Sequence, residues 1–287
     1  MAHFNTTTGA VFIPEIWSEA IFKFFDAKLK LRGSVDDYSA LVTSGGDTIN
    51  IPKIAMDGTN DKAVNTEVTY SISGTETSVA LAINKHKYLA NIFEDMAVIQ
   101  SSPELLTKYT QMMGESLARG VEDDIWSELD GFQTTQALTA DNRVQADDLE
   151  AVLNTLYSQD IDPNSCSFIV NNEILSDMLN PSGGIAQYFI RQDAVGDGAG
   201  LRTGAVGLIY GMDVFYSRSI ASSAGTGTKV GAVYPKEACA FAAQQDVRVQ
   251  SQYDVGFLGT KVVADMLYGV KLVDESGHLM GLNLTNP

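Results

Sequence analysis

The chain has 287 residues, 45% hydrophobic and 19% charged, which are the proportions of a globular protein with a sizeable core in one or two units and exclude a disordered or fibrous chain. Its 36 acidic against 19 basic residues give a net charge of −17, which favours solubility and argues against sequence-specific binding of nucleic acid. The longest apolar run, residues 238–243, has six residues, so no segment is expected to span a membrane, and charged residues break up the first thirty positions where a signal peptide needs its apolar stretch.

Residues 1–45 read as an extended arm carrying one short helix. Pro14 suits its first turn, and Ile16, Trp17, Ala20, Ile21, Phe24 and Phe25 recur at helical spacing to make one apolar face. That face packs either on its own subunit or against a neighbour, and Trp17 and Phe24 are the candidates for the second role. From 46 to about 90 the pattern is a β-ribbon with one wet face. Ile49, Ile51, Val64, Val68, Tyr70, Ile72, Val79, Leu81 and Ile83 alternate there with polar residues. Residues 56–62 have turn chemistry and no apolar anchor after Met56, which predicts a reversal there and a tip that projects from the body. Such a ribbon is marginal alone and needs a surface to lie on. Lys53, Met56, Asp57, Lys62 and Tyr70 are therefore candidate contacts with a neighbouring subunit.

The ribbon is expected to run directly into one long helix over about 103–130. Ser102 is a good N-cap, Pro103 fits the first helical position, Glu104 suits the positive end of the macrodipole, and Gly131 supplies the stop. Leu105, Tyr109, Met113, Leu117, Val121, Ile125 and Leu129 recur every four residues, with Leu106, Met112 and Trp126 broadening the stripe. Each step overshoots a 3.6-residue turn by about 40°, so the stripe winds and meets partners on more than one side.

Past residue 146 the pattern alternates. Leu149, Val152, Leu153 and Leu156 predict a helix, Pro163-Asn164-Ser165 a turn, Cys166, Phe168, Ile169 and Val170 a buried strand, and residues 172–179 a second helix. Residues 181–207 are Gly-rich and read as a long loop, with Tyr188 and Phe189 among its few apolar anchors and as further contact candidates. A strand, turn and strand follow over 208–220, a buried strand over 231–234, and a short helix over 236–243. Val247 and Val249, then Val262, Val263, Ala264, Met266 and Val270, mark two long strands that return to the long helix. Buried strands bracketed by helices indicate an α/β unit with a small sheet. The two cysteines, Cys166 and Cys239, read as small buried hydrophobes.

The residues carry no chemistry-bearing motif. His3, His86 and His278 are far apart, and no zinc-binding, phosphate-loop or nucleophile-elbow spacing occurs. Glu122, Asp123 and Asp124 point about 100° apart on a helix and cannot converge on one ion. Gly196, Gly198, Gly200 and Gly204 neither follow a strand nor open a helix, which argues against a dinucleotide site. No catalytic site, metal or cofactor is expected.

The order of arm, ribbon, long helix and α/β unit resembles the HK97-type fold of tailed-phage major capsid proteins over essentially the whole chain. The supporting stretches are Phe12-Ile13-Pro14-Glu15-Ile16-Trp17, Asn50-Ile51-Pro52, Ala118-Arg119-Gly120-Val121-Glu122-Asp123-Asp124 and Val262-Val263-Ala264-Asp265-Met266-Leu267-Tyr268-Gly269-Val270. The resemblance implies an α+β chain with an N-terminal arm at 1–45 and an extended β-hairpin, or E-loop, at 46–90. It also implies a peripheral domain from 91–145 and 246–287 with the spine helix at about 103–130, and an α/β axial domain at 146–245. It further implies self-assembly, through hexamers and pentamers, into an icosahedral head shell around double-stranded DNA that is not bound sequence-specifically. Scaffolding protein, portal and a decoration protein are the implied partners, with assembly in the host cytoplasm, final location in the virion and no membrane. The absence of a large helical prefix suggests that scaffolding is a separate polypeptide. Some capsids of this type join lysine to asparagine between subunits, which directs attention to Lys53 and Lys62, although no acid or acceptor is assignable. Two other readings stand beside this one: an encapsulin-type nanocompartment shell of the same fold, and an acidic enzyme with a site around Asp123.

Overall fold

The computed structural model describes residues 21, 31–42, 45–53, 61–68, 77–95, 103–140, 143–178, 207–220, 227–273 and 281–287. In chain order a short strand β1 (Asp36–Asp37) and helix α1 (Ser39–Val42) precede β2 (Thr48–Lys53), β3 (Thr77–Ala82) and β4 (Lys85–Glu94). Helix α2 (Pro103–Leu129), β5 (Thr134–Ala137), α3 (Ala146–Ser158), β6 (Cys166–Val170) and α4 (Asn172–Met178) follow. The described chain ends with β7 (Leu208–Ile209), β8 (Met212–Tyr216), β9 (Lys229–Pro235), β10 (Cys239–Asp254), β11 (Gly259–Leu272) and β12 (Leu282–Thr285). Mixed helices and sheets make this an α+β fold.

Strands β10 and β11 form one long antiparallel hairpin, flanked by β4 on the β11 side and by β1, in parallel, at the start of β10. Helix α2 lies on this sheet. Its stripe of Met113, Leu117, Val121, Ile125 and Leu129 is buried against Phe241, Val262, Ala264, Met266, Tyr268 and Val270. Burying each large side chain stabilises by about 1.5–3 kcal/mol, so this layer dominates the local energetics. The upper part of the expected stripe behaves differently. Tyr109 and Met112 stay exposed, although the Tyr109 ring meets Phe93 edge-on at 5.4 Å between centroids.

The second sheet has six strands in the order β5-β12-β9-β6-β8-β7. Ile169, Ala232 and Tyr234 join the core under α2, while Phe168, Val170 and Val233 turn to a second core with Leu149, Val152 and Leu156 of α3. The Tyr234 hydroxyl, wholly buried, is satisfied by Ser34 at 2.6 Å. Asn283 on β12 donates from Nδ2 to the carbonyls of Leu129, Asp130 and Phe132 at 3.2–3.3 Å, closing the C-terminal end of α2, where carbonyls lack intrahelical partners.

Several expectations need correction. Val64 and Val68 do not lie in a strand: Val64 is 93% exposed in a turn, and residues 61–68 carry no strand. β2 pairs with β3 from Thr48↔Ala82 out to Lys53↔Thr77. Asn65 lies twelve residues from both Lys53 and Thr77, has a φ of 64°, and sits in a turn closed by the Thr66 N–H on the Ala63 carbonyl at 3.4 Å. Asn tolerates the left-handed conformation that such a turn needs, and the reversal expected over 56–62 falls mostly outside the described residues. The helix expected over 236–243 is a single 3-10 turn, Lys236–Ala238, followed at once by β10. Its alanines favour a helix, but Phe241 and its flanking alanines are buried on opposite faces of a strand, and tertiary packing overrides propensity. The ribbon does not lead directly into α2 either, because β4 intervenes.

Candidate assembly surfaces

The turn of the β10–β11 hairpin, residues 255–258, carries an unusual surface. Tyr253, Val255, Phe257 and Leu258 are 49%, 74%, 59% and 62% exposed, where an isolated soluble hairpin would carry polar side chains. The turn is braced. The Asp254 carboxylate accepts from the Gly256 N–H at 2.8 Å and is paired with Lys261, whose ammonium lies 5.4 Å from the Phe257 ring centroid. Asp95 donates its N–H to the Leu258 carbonyl at 2.9 Å and accepts from the Tyr253 hydroxyl at 2.8 Å. Lys261 holds the Asp254 carboxyl below its usual range, and the bond to Asp95 pushes the Tyr253 phenol up. Leu258 adopts a φ of 46°, a left-handed conformation that costs a non-glycine residue about 1–2 kcal/mol. The turn is therefore strained, braced and apolar at once.

Behind the turn, the sheet is pinned by a carboxylate. Asp265 on β11, almost fully buried, receives the Arg248 guanidinium in a fork, Nη2 at 2.7 Å and Nε at 3.1 Å, together with His86 Nε2 at 3.0 Å and Gln245 Nε2 at 3.3 Å. Burial opposes charge on Asp265, but the Arg248 and His86 contacts outweigh it and hold the carboxyl below its ordinary value. The cluster spans β10, β11 and β4 beside the two register shifts of β10, so it fixes the bulged part of the hairpin. On the helix side Asp124 accepts the Tyr268 hydroxyl at 2.5 Å and lies 3.1 Å from Lys87 Nζ and 3.5 Å from Lys85 Nζ. Its neighbours diverge: Glu122 is buried and Asp123 exposed. The outer face of edge strand β4 shows Tyr88 and Ile92 to solvent.

Of the residues selected from sequence, Trp17, Phe24, Met56, Asp57, Tyr70, Tyr188 and Phe189 lie outside the described residues. Lys53 ends β2 opposite Thr77, and Lys62 is exposed beyond it. Among the described residues no group of three or more His, Cys, Asp or Glu side chains is arranged to hold a metal ion, and no helix is long and apolar enough to cross a membrane.

This geometry, a helix on a long hairpin beside a second sheet and a two-stranded ribbon, has counterparts. A family model described as phage capsid protein matches residues 76–279. The chain belongs to the phage capsid protein family. This capsid protein is a shell subunit with a structural role, found in the virion and built to associate with copies of itself. Its fold is HK97-like. It is similar to a chain of Mycobacterium phage Che8, with a TM-score of 0.68 and 22% identity over 89% of this chain and 90% of that one. The capsid of a native GTA particle matches with a TM-score of 0.65 and 12% identity over 90% of both chains. A virus-like particle from Pyrococcus furiosus matches with a TM-score of 0.57 and 11% identity over 94% of this chain and 98% of that one. No curated protein matches the capsid protein by sequence.

The apolar turn of the capsid protein was missed in the sequence although its signal is present. Tyr253-Asp254-Val255-Gly256-Phe257-Leu258-Gly259 separates two alternating strands, and it places three large apolar residues in a turn where Asn, Asp or Ser is usual.

Proposed function

We propose that this capsid protein forms the icosahedral head shell of a tailed phage and encloses double-stranded DNA. In this reading it assembles in the host cytoplasm through hexamers and pentamers, with scaffolding protein, a portal and a decoration protein as further partners. The observation that carries the contact mechanism is the braced apolar turn on a subunit of net charge −17. Copies of so acidic a chain repel one another, so contacts between them belong on neutral, apolar surface, and residues 255–258 carry no charge. The same net charge supports a lining past which packaged duplex slides without sticking.

The ribbon is assigned the role of an E-loop reaching across the adjacent subunit, and α2 that of the spine helix of the peripheral domain at 91–145 and 246–287. The arm at 1–45 and the axial domain at 146–245 complete the division, with Trp17, Phe24, Lys53, Met56, Asp57, Lys62, Tyr70, Tyr188 and Phe189 as further contacts between copies. Each weak local contact is multiplied by symmetry into a stable shell. The full-length overlap with the Pyrococcus furiosus particle supports a second reading, a compartment shell of the same fold. Purification from cells, negative-stain microscopy and the nucleic acid content of the particles test both. Closed particles that carry DNA when made with the phage's packaging proteins support the first reading, and particles that enclose protein cargo instead overturn it.

A further inference from the structure

The ribbon formed by β2 and β3 leaves the body over a seat of small residues. Ala240 and Ala242 of β10 are fully buried there, Ala242 pairs with Gly269 of β11, and Ile51, Leu81 and Ile83 of the ribbon side pack onto them with Val42 and Val273. At Gly269 the approach is backbone on backbone. A Cβ at this position would lie far inside contact distance of the Ala82 carbonyl oxygen, 3.1 Å from the Ala82 carbonyl carbon and 3.2 Å from the Ile83 Cα. None of these atoms can rotate away as a side chain does. The entry to the ribbon is softer. Gly45 and Gly46 have φ of 102° and 118°, and the chain is held there by the Gln244 amide on the Gly46 carbonyl at 2.9 Å and by the Ile83 N–H on the Asp47 carbonyl at 2.8 Å. A pliable entry combined with a hard seat means that the seat fixes the direction of the ribbon.

We propose that Gly269 is the positioning residue of the ribbon: its missing side chain lets Ala82 rest on β11 and so sets the angle at which the ribbon leaves the body. The inference deepens the proposed function, since the angle matters to assembly only if the ribbon lies on a neighbouring copy. A methyl group at 269 must move Ala82 out to ordinary contact of about 3.5 Å, a lift on the order of 1 Å at the seat. Because the hydrogen bonds at Gly46 and Asp47 hold the entry in place while its glycines can turn, the entry is a pivot, the lift becomes a rotation about it, and displacement grows with distance along the strands.

The test uses the full chain before assembly, spin-labelled at two pairs of exposed positions: Thr48→Cys with Gln250→Cys, near the seat, and Ser78→Cys with Gln250→Cys, at the outer end. The native Cys166 and Cys239 are buried, and burial pushes their thiols up to about 11 and about 12, so they escape labelling. Gly269→Ala is expected to shift the outer distance several times more than the inner one. Gly259→Ala, which meets the Phe93 carbonyl oxygen of β4 and not the ribbon, should leave both distances unchanged. Unchanged distances in Gly269→Ala, equal shifts at both ends, or an equal effect of Gly259→Ala overturn the proposal. Should Gly269→Ala be insoluble, Ala242→Val adds bulk to the same seat and is read the same way. Microscopy of assembled particles separates the two claims: a rotated ribbon with normal shells upholds the role of Gly269 and refutes the ribbon's contact with a neighbour.

Discussion

Asp265 accepts hydrogen bonds from side chains on both flanking strands, and its depressed pKa gives it a defined pH signature. A carboxyl whose folded pKa lies below its unfolded one contributes stability that is complete above the ordinary value of 3.8 and is lost as pH falls through the folded value. The melting temperature of Asp265→Asn should therefore lie well below wild type at pH 6, with the gap closing below about pH 4. A gap that is constant with pH would mean that the Arg248 fork contributes by shape and not by charge. Asn283 makes the complementary case for an uncharged group. Asn283→Leu keeps the number of side-chain heavy atoms but removes the donor that serves three carbonyls at the end of α2, and leaving such groups unpaired costs roughly 1–3 kcal/mol. Its Oδ1 is buried with no partner, and losing that atom offsets part of the cost. Urea denaturation should accordingly give a loss near the lower end of that range.

At the scale of elements, α2 and the hairpin turn should respond in opposite ways. Leu117 is buried beneath α2, so Leu117→Asp places a charge in the apolar layer at a cost of several kcal/mol, and soluble expression should collapse. Phe257→Ser with Leu258→Gly removes exposed apolar surface and relieves a left-handed φ, so the melting temperature should hold while particle formation fails. Normal particles from that double variant would exclude the turn as a contact. The long helix and hairpin were legible in the sequence because Val121, Ile125, Val262 and Ala264 keep one period over many residues. β4 was hidden because its inward face carries Lys85, Lys87 and Asn91 beside Leu89 and Phe93, and the lysines are inward only because Asp124 lies above them. β5 and β12 are four residues each and pair with one another across about 150 positions, a contact that no local pattern encodes. The candidate contacts at Lys53 and Lys62 rested on turn chemistry, whereas the braced turn at 255–258 was passed over as the link between two strands.

The whole molecule combines an acidic chain, a shared core, an exposed apolar turn and a two-stranded ribbon. The body supplies rigidity, since α2, the hairpin and one face of the six-stranded sheet share one core. The ribbon's six paired positions, Thr48–Lys53 with Thr77–Ala82, run across its seat, where Ile51 and Leu81 are buried, toward its outer end at Lys53 and Thr77. The apolar turn adds nothing to the core of the isolated subunit, whereas the ribbon contributes Ile51 and Leu81 to it, and in the proposed assembly a second copy covers the outer surface of both. Electron cryo-microscopy of particles assembled from the full chain tests this most directly. Closed shells are expected in which Val255, Phe257 and Leu258 are buried against adjacent copies and the ribbon lies across a neighbour. Closed shells that leave both the turn and the ribbon in solvent would contradict the proposed assembly.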